Sequence, residues 1–294
     1  MTNFKRRLAD DILFKIKNEP LFKQKILPDI KKGIVFPAIR NEYISFYYAK
    51  NSLFKYDSQG FSTHIKYGFV PEGKDDCYIF QDDLVSISSS KDFISSYDKI
   101  KEKCMLYAGD EAAGVASLFN FSAAKLPQPS RYSLVDTEIT FSTKKNEREW
   151  DFRPGQKHKT DQIDVLLYDN EKKLLVFCEA KLFSNKELWS KDNRPKVTNQ
   201  LDRYNAQIAS NEQFVLTEYK NYFAILKNLF GVDFNPPEKV FKHCVLLIFD
   251  FDIFQREKID NLLIKDGSLE GYRNYRIGDI KKIELENLFK ECSD

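Results

Sequence analysis

The chain has 294 residues, of which 42% are hydrophobic and 31% charged, with a net charge of +2. That balance excludes a disordered chain. It also excludes the strong positive field of a protein that coats nucleic acid, so any anionic partner must be met by a local patch.

Phe4, Leu8, Ile12, Leu13 and Ile16 recur at helical spacing before Pro20, and a helix is expected over residues 4–18. Its Lys/Arg face is either solvated or a phosphate contact. Charges interrupt every apolar run in this segment, so it does not read as a signal peptide. Residues 33–90 alternate aromatic and polar side chains between turn-forming clusters such as Lys50-Asn51-Ser52 and Asp57-Ser58-Gln59-Gly60. That reads as an antiparallel meander of three or more strands. Tyr43, Phe46, Tyr47, Tyr48, Phe54, Tyr56, Phe61 and Tyr67 form either the sheet's core face or stacking platforms for bases. His64 has no Cys or His at metal spacing and reads as structural. Residues 91–126 look helical, with Glu111 in the Ala-rich second part, until Pro127 and Pro129 break the chain. The expected division is residues 1–100, a helix plus meander serving as a recognition region, and a second domain over 101–294.

Residues 131–143 read as a strand with Glu138 in its middle. A polar loop follows in which Lys144, Lys145, Arg148, Arg153, Lys157 and Lys159 outnumber the acids. It is the strongest local phosphate-binding candidate, although an ordinary solvated loop has the same composition. His158 in it is a candidate proton shuttle or plain loop surface. Two apolar runs, 163–168 and 174–178, then flank Asp169-Asn170-Glu171-Lys172 and predict a β-hairpin. Helical spacing returns over 197–209 and over 218–230, the latter ending at Gly231. The continuous apolar run within 242–250 predicts a strand buried on both faces and is too short to span a bilayer. Helices over 254–264 and 279–292 bracket a short strand over 272–277. This order indicates an α/β (α+β) layer fold with a central mixed sheet flanked by helices, preceded by an antiparallel β-rich region. Cys77, Cys104, Cys178, Cys244 and Cys292 include no CxxC pair. Their contexts point to a reducing cytoplasm without disulfides or a zinc site.

The central hairpin carries charge where buried strands should stay apolar. Asp164 opens the first run, and Glu179, Ala180 and Lys181 close the second. Burying such groups costs several kcal/mol unless they are paired or bound to a metal. Residues two apart on a strand face the same way, so Glu179 and Lys181 share a face, and Asp164 reaches it if the register is right. Two adjacent carboxylates and the Ala180 carbonyl offer hard oxygen ligands suited to Mg2+. Such a cation eases deprotonation of water and stabilises charge on a phosphate, and Lys181 beside it could neutralise more. This set suits hydrolysis of a phosphodiester.

The residues IDVLL, then FCEAK after a short turn, resemble the D…ExK motif of the PD-(D/E)xK nuclease superfamily, with its restriction-endonuclease-like fold. The leading Pro is absent, since Ile163 precedes Asp164. Gln200-Leu201-Asp202-Arg203-Tyr204 is similar to the QxxxY helix motif of some branches, and Glu138 stands where many members place an upstream acid. The resemblance spans roughly residues 105–250 and leaves the meander outside. It implies that Asp164 and Glu179, with the Ala180 carbonyl, hold Mg2+ or Mn2+, that Lys181 is the catalytic lysine and that Glu138 supports the site. It implies that Gln200 and Tyr204 touch the nucleic-acid backbone; Lys144, Lys145, Arg153, Lys157 and Lys159 of the basic loop are nucleic-acid contacts only on the reading of its composition above. The function implied is metal-dependent cleavage of nucleic acid, DNA ahead of RNA, by a restriction, defence or repair endonuclease with no membrane partner. Cutting both strands would favour a homodimer. The competing reading is a catalytically silent nucleic-acid-binding or interaction module on the same fold.

Overall fold

The computed structural model describes residues 4–67, 78–81, 92–125, 129–141, 161–189, 195–265 and 268–292. It is an α+β protein in which the described residues form one antiparallel and one mixed sheet.

The N-terminal helix is shorter than its apolar spacing suggests. α1 covers only Asp10–Ile16. The preceding residues run extended, because Phe4 stacks on Phe141 at 5.0 Å and Arg7 forms a bridge with Asn41. Both arginines in this extended segment are held in ion pairs, Arg6 buried and Arg7 half-exposed. Arg6 is paired with Asp136 at 2.9 Å and Arg7 with Glu218 at 2.6 Å. After a π-helical turn at Phe22–Ile26 comes α2, Leu27–Lys31.

Among the described residues the meander has five strands, β1 (Phe36–Ile39), β2 (Ile44–Tyr48), β3 (Asn51–Asp57), β4 (Gly60–His64) and β5 (Tyr78–Phe80), each antiparallel to the next. Its aromatics make core. Phe46, Tyr47, Phe54, Tyr56, Phe61 and Tyr67 are buried, which removes them as stacking faces for bases. α3 (Phe93–Leu106), capped by Asp92, packs on β3, and α4 (Asp110–Ala116) follows. α3 thus crosses residue 100, and a single apolar cluster runs from Phe46 and Phe54 of the meander to Phe177 and Leu201 of the second half.

The second sheet is built from β6 (Tyr132–Ile139), β7 (Ile163–Asp169), β8 (Leu174–Leu182), β9 (Lys239–Val240), β10 (Val245–Phe249) and β11 (Asn274–Ile277). Its order is β11-β10-β8-β7-β6, with β9 beside the start of β8. β6, β7 and β8 are antiparallel, whereas β8, β10 and β11 run parallel. The hairpin turn forms as its composition demands: Asp169 Oδ1 accepts from the amides of Glu171 and Lys172.

Between β8 and β10 lies α5, Lys196–Phe230, one helix of 35 residues in place of the two expected. The segment between them holds neither Gly nor Pro, and Ile208, Val215, Leu216 and Tyr219 continue the buried stripe. Gly231 ends it at φ 74, the left-handed cap that glycine permits. α6 (Ile253–Ile259) opens with a capping box at Asp252 and Gln255. The last expected helix is broken into a 3-10 turn, Ile280–Lys282, and α7, Leu285–Glu291. Cys104, Cys178, Cys244 and Cys292 are buried free thiols. Among the described residues no helix is long and apolar enough to cross a membrane.

Alternation along β8 assigns its two faces. Leu175 and Phe177 enter the cluster shared with α5 and the meander, whereas Val176, Cys178 and Ala180 enter a second cluster with Val115 of α4 and Leu288 of α7. Glu179 and Lys181 therefore continue the face that α5 and the meander cover.

Candidate active site

The carboxylates meet at the end of the hairpin because of register. Val165 pairs with Cys178, so Asp164 comes beside Glu179 on the same face. The ladder ends there, and the Asp164 side chain takes over: its Oδ2 accepts from the Ala180 amide at 2.7 Å. Its backbone carbonyl accepts from Thr137 Oγ1 at 2.7 Å, which ties β7 to β6. Lys181 Nζ lies 2.9 Å from Glu179 Oε1 and 2.9 Å from Glu187 Oε2. Glu179 Oε2 is buried with no hydrogen-bond partner.

Glu138 arrives through distortion of β6. The pairing of β6 with β7 shifts register between Leu134 and Asp136, and Glu138 adopts φ 53. A left-handed residue other than Gly costs about 1–2 kcal/mol and persists only where its surroundings impose it. Arg40 imposes it here, donating to the Thr137 and Glu138 carbonyls while its Nη1 bonds Asp136. Glu138 is thereby turned into the same pocket as Asp164, Glu179 and Lys181.

Sequence reasoning missed Lys50. It sits in the two-residue β2–β3 turn, where Ala49 and Lys50 both have positive φ, 48 and 65. Such turns favour Asn-Gly, so nothing local in Ala49-Lys50 marks it as functional. Its ammonium ion-pairs with Asp164 and lies 3.4 Å from Glu138 Oε1. Glu111 of α4 was noted but given no role. Its Oε2 accepts from the Leu182 amide at 3.2 Å and from Asn185 Nδ2 at 2.7 Å. That contact fixes the end of β8 just beyond Lys181.

α5 closes the pocket's far wall. Gln200 Nε2 donates to the Tyr204 hydroxyl at 2.7 Å, which donates to the Gln162 carbonyl at 2.7 Å. Gln200 is partly exposed to the pocket. Tyr204 has no exposed surface, which corrects its expected contact with a nucleic-acid backbone: it positions Gln200 and anchors β7. Arg203 grips Asp161 through Nε and Nη2, each at 3.0 Å. The pocket holds about 760 Å³. A pocket of about 950 Å³ at the opposite end of β8, around Lys173, Lys239 and Phe241, gathers no comparable set. Lys144, Lys145, Arg153, Lys157 and Lys159 of the basic loop, with Arg148 and His158, lie outside the described residues.

Burial sets the electrostatics. It pushes the Glu138 carboxyl up to about 7, with Lys50 opposing and Asp164 adding to the rise. Burial and the neighbouring Asp164 drive Glu179 well above the usual carboxylate range, against Lys181. For Lys50, burial opposes the charge, but Asp164 and Glu138 outweigh it and hold the ammonium. Lys181 is held charged in the same way, burial being outweighed by Glu179 and Glu187.

Among the described residues no three His, Cys, Asp or Glu side chains converge on one metal-sized point. A site with two carboxylates is still enough for magnesium, which commonly takes one or two and keeps several waters. Asp164 and Glu179 supply those oxygens, and Glu179 Oε2 is a buried acceptor with no hydrogen-bond partner among the described residues. These residues fit a small hard cation. No family model matches the chain, and no curated protein or solved structure matches it.

Proposed function

We propose that the chain is a metal-dependent nuclease with a restriction-endonuclease-like core of PD-(D/E)xK type, hydrolysing phosphodiester bonds in nucleic acid, DNA ahead of RNA. One observation carries this reading. The hydrogen bond from the Ala180 amide to Asp164 sets the aspartate of one strand beside Glu179 and Lys181 of the next. The mixed sheet with helices on both faces supports it further.

Asp164 and Glu179 would hold magnesium or manganese, which when bound eases deprotonation of a nearby water and offsets charge on the phosphate. Lys181 is held cationic and places positive charge where the phosphate becomes more negative. Glu138 titrates near neutrality and can accept a proton at the pocket's edge. Gln200, fixed by Tyr204, offers a neutral donor to a phosphate oxygen. The net charge of +2 provides little long-range attraction, so the substrate must be captured by groups at this pocket and its rim.

A silent nucleic-acid-binding module is the second reading. The pairing of Lys50 with Asp164 favours it, because a cation already satisfies one of the two acids. Purified protein incubated with supercoiled, linear and single-stranded DNA and with RNA, with either metal, separates the two. Cleavage supports the nuclease. Salt-sensitive binding without cleavage on every substrate supports the module.

A further inference from the structure

The N-terminal meander brings Lys50, beside Asn51, into the pocket, and Lys50 is held there against its local backbone preference. Ala49 and Lys50 both occupy the left-handed region in a turn that would favour Asn-Gly. The turn is anchored on both sides to the end of α3: Asn51 Nδ2 donates to the Cys104 carbonyl at 3.3 Å, and Cys104 Sγ donates to the Tyr48 carbonyl at 3.7 Å. The side chain it delivers is 15% exposed and pairs with Asp164 and Glu138. Glu179, opposite Asp164, keeps one oxygen unpartnered. Adjacent buried carboxylates repel one another and need a counter-charge. In the metal-free protein Lys181 supplies it to Glu179, and the Lys50 ammonium supplies it to Asp164 and Glu138.

We propose that Lys50 is a built-in stand-in for the divalent cation: it neutralises Asp164 and Glu138 in the metal-free protein and is displaced when the metal binds. This rests on the reading of Asp164 and Glu179 as a cation site. Lys50 holds Asp164 Oδ1 while Oδ2 accepts from the Ala180 amide, so an incoming cation competes with Lys50 for Oδ1, and metal contact there loses the lysine pair. The linkage runs both ways. Metal binding loosens the β2–β3 turn, and whatever holds that turn in place weakens metal binding. The freed ammonium, on a four-carbon stem at the pocket wall, is then available to a phosphate oxygen. The meander thus becomes a partner of the site through its β2–β3 turn.

Two measurements test this. In the first, Lys50 of the wild-type protein is acylated with an amine-reactive ester, and its modification is followed by mass spectrometry with and without manganese. In the second, manganese binding is titrated calorimetrically, without substrate, for the wild type, Lys50→Met and Asp164→Asn. Modification of Lys50 is expected to rise several-fold with manganese. Lys50→Met is expected to bind manganese roughly tenfold more tightly, the shift expected from losing a competing charged hydrogen bond. Asp164→Asn is expected to lose binding. If wild type and Lys50→Met bind manganese equally and Lys50 stays protected, Lys50 is a structural pair and the inference fails while the cation site stands. If neither binds manganese, the cation site itself is wrong and the inference goes with it. Should Lys50→Met not fold, the wild-type modification experiment decides alone.

Discussion

Arg40 Nη1 donates to Asp136 Oδ1 at 2.7 Å in a place where Asp136 has no exposed surface at all. Arg6, the Tyr219 hydroxyl and the Thr137 amide also donate to the same carboxylate, at 2.9, 2.7 and 2.8 Å. The cluster joins the N-terminal segment, β1, β6 and α5, and it lies two residues behind Glu138. Breaking a buried ion pair by removing one partner leaves an uncompensated charge and costs about 3–5 kcal/mol. Asp136→Ala is therefore expected to lower stability by that order, read from urea denaturation.

The same carboxylate predicts acid sensitivity. Burial works against the Asp136 charge, but Arg40 and Arg6 outweigh it and hold the carboxyl below its ordinary range. A depressed folded-state value contributes stability that is present above the unfolded value, near about 4, and is lost as pH falls through the folded one. Denaturation midpoints should drop steeply below about pH 4, and Asp136→Asn should flatten that dependence.

Glu138 has the opposite sign. Its carboxyl is raised to about 7 in the folded state, so it favours folding fully below the unfolded value and loses that contribution as pH rises through 7. Glu138→Gln is expected to stabilise the metal-free protein at pH 8 and to have little effect at pH 4. Thermal denaturation at the two pH values checks this. If Glu138 is the proton acceptor at the pocket edge, the stabilised variant should also cleave more slowly, a trade common at functional sites.

Gly114 lets α4 approach the sheet. A Cβ there would lie 2.3 Å from the Phe249 ring, which is itself buried. Gly114→Ala must shift α4, and with it Glu111, which holds the Leu182 amide just past Lys181. A loss of about 1–3 kcal/mol in stability is expected from such overpacking. Cleavage should fall further than the stability loss alone explains.

The hairpin was legible because its two signals are local. The turn at Asp169-Asn170-Glu171-Lys172 and the period-two pattern of β8 require no knowledge of distant partners. The shared face of Glu179 and Lys181 follows from the same period, and their contact at 2.9 Å is its direct expression. Lys50 was not legible, since its partner Asp164 is 114 residues away and no propensity marks Ala49-Lys50 for a left-handed turn. The N-terminal helix was overextended for a similar reason: tertiary ties from Arg6 and Arg7 outweigh local apolar spacing. The single long α5 did have a signal. Residues 210–217 hold neither Gly nor Pro, and Val215 and Leu216 carry the apolar stripe across the joint.

The central claim is that Asp164, Glu179 and Lys181 form a phosphodiester-cleaving site, and supercoiled plasmid with magnesium tests it most directly. Initial nicking rates are compared for the wild type, Asp164→Asn and Lys181→Met, each first shown to be folded by circular dichroism. The account predicts nicking by the wild type and a loss of at least about a hundredfold in both variants, the scale of removing a group that stabilises transition-state charge. Nicking that survives unchanged in the two folded variants would contradict it.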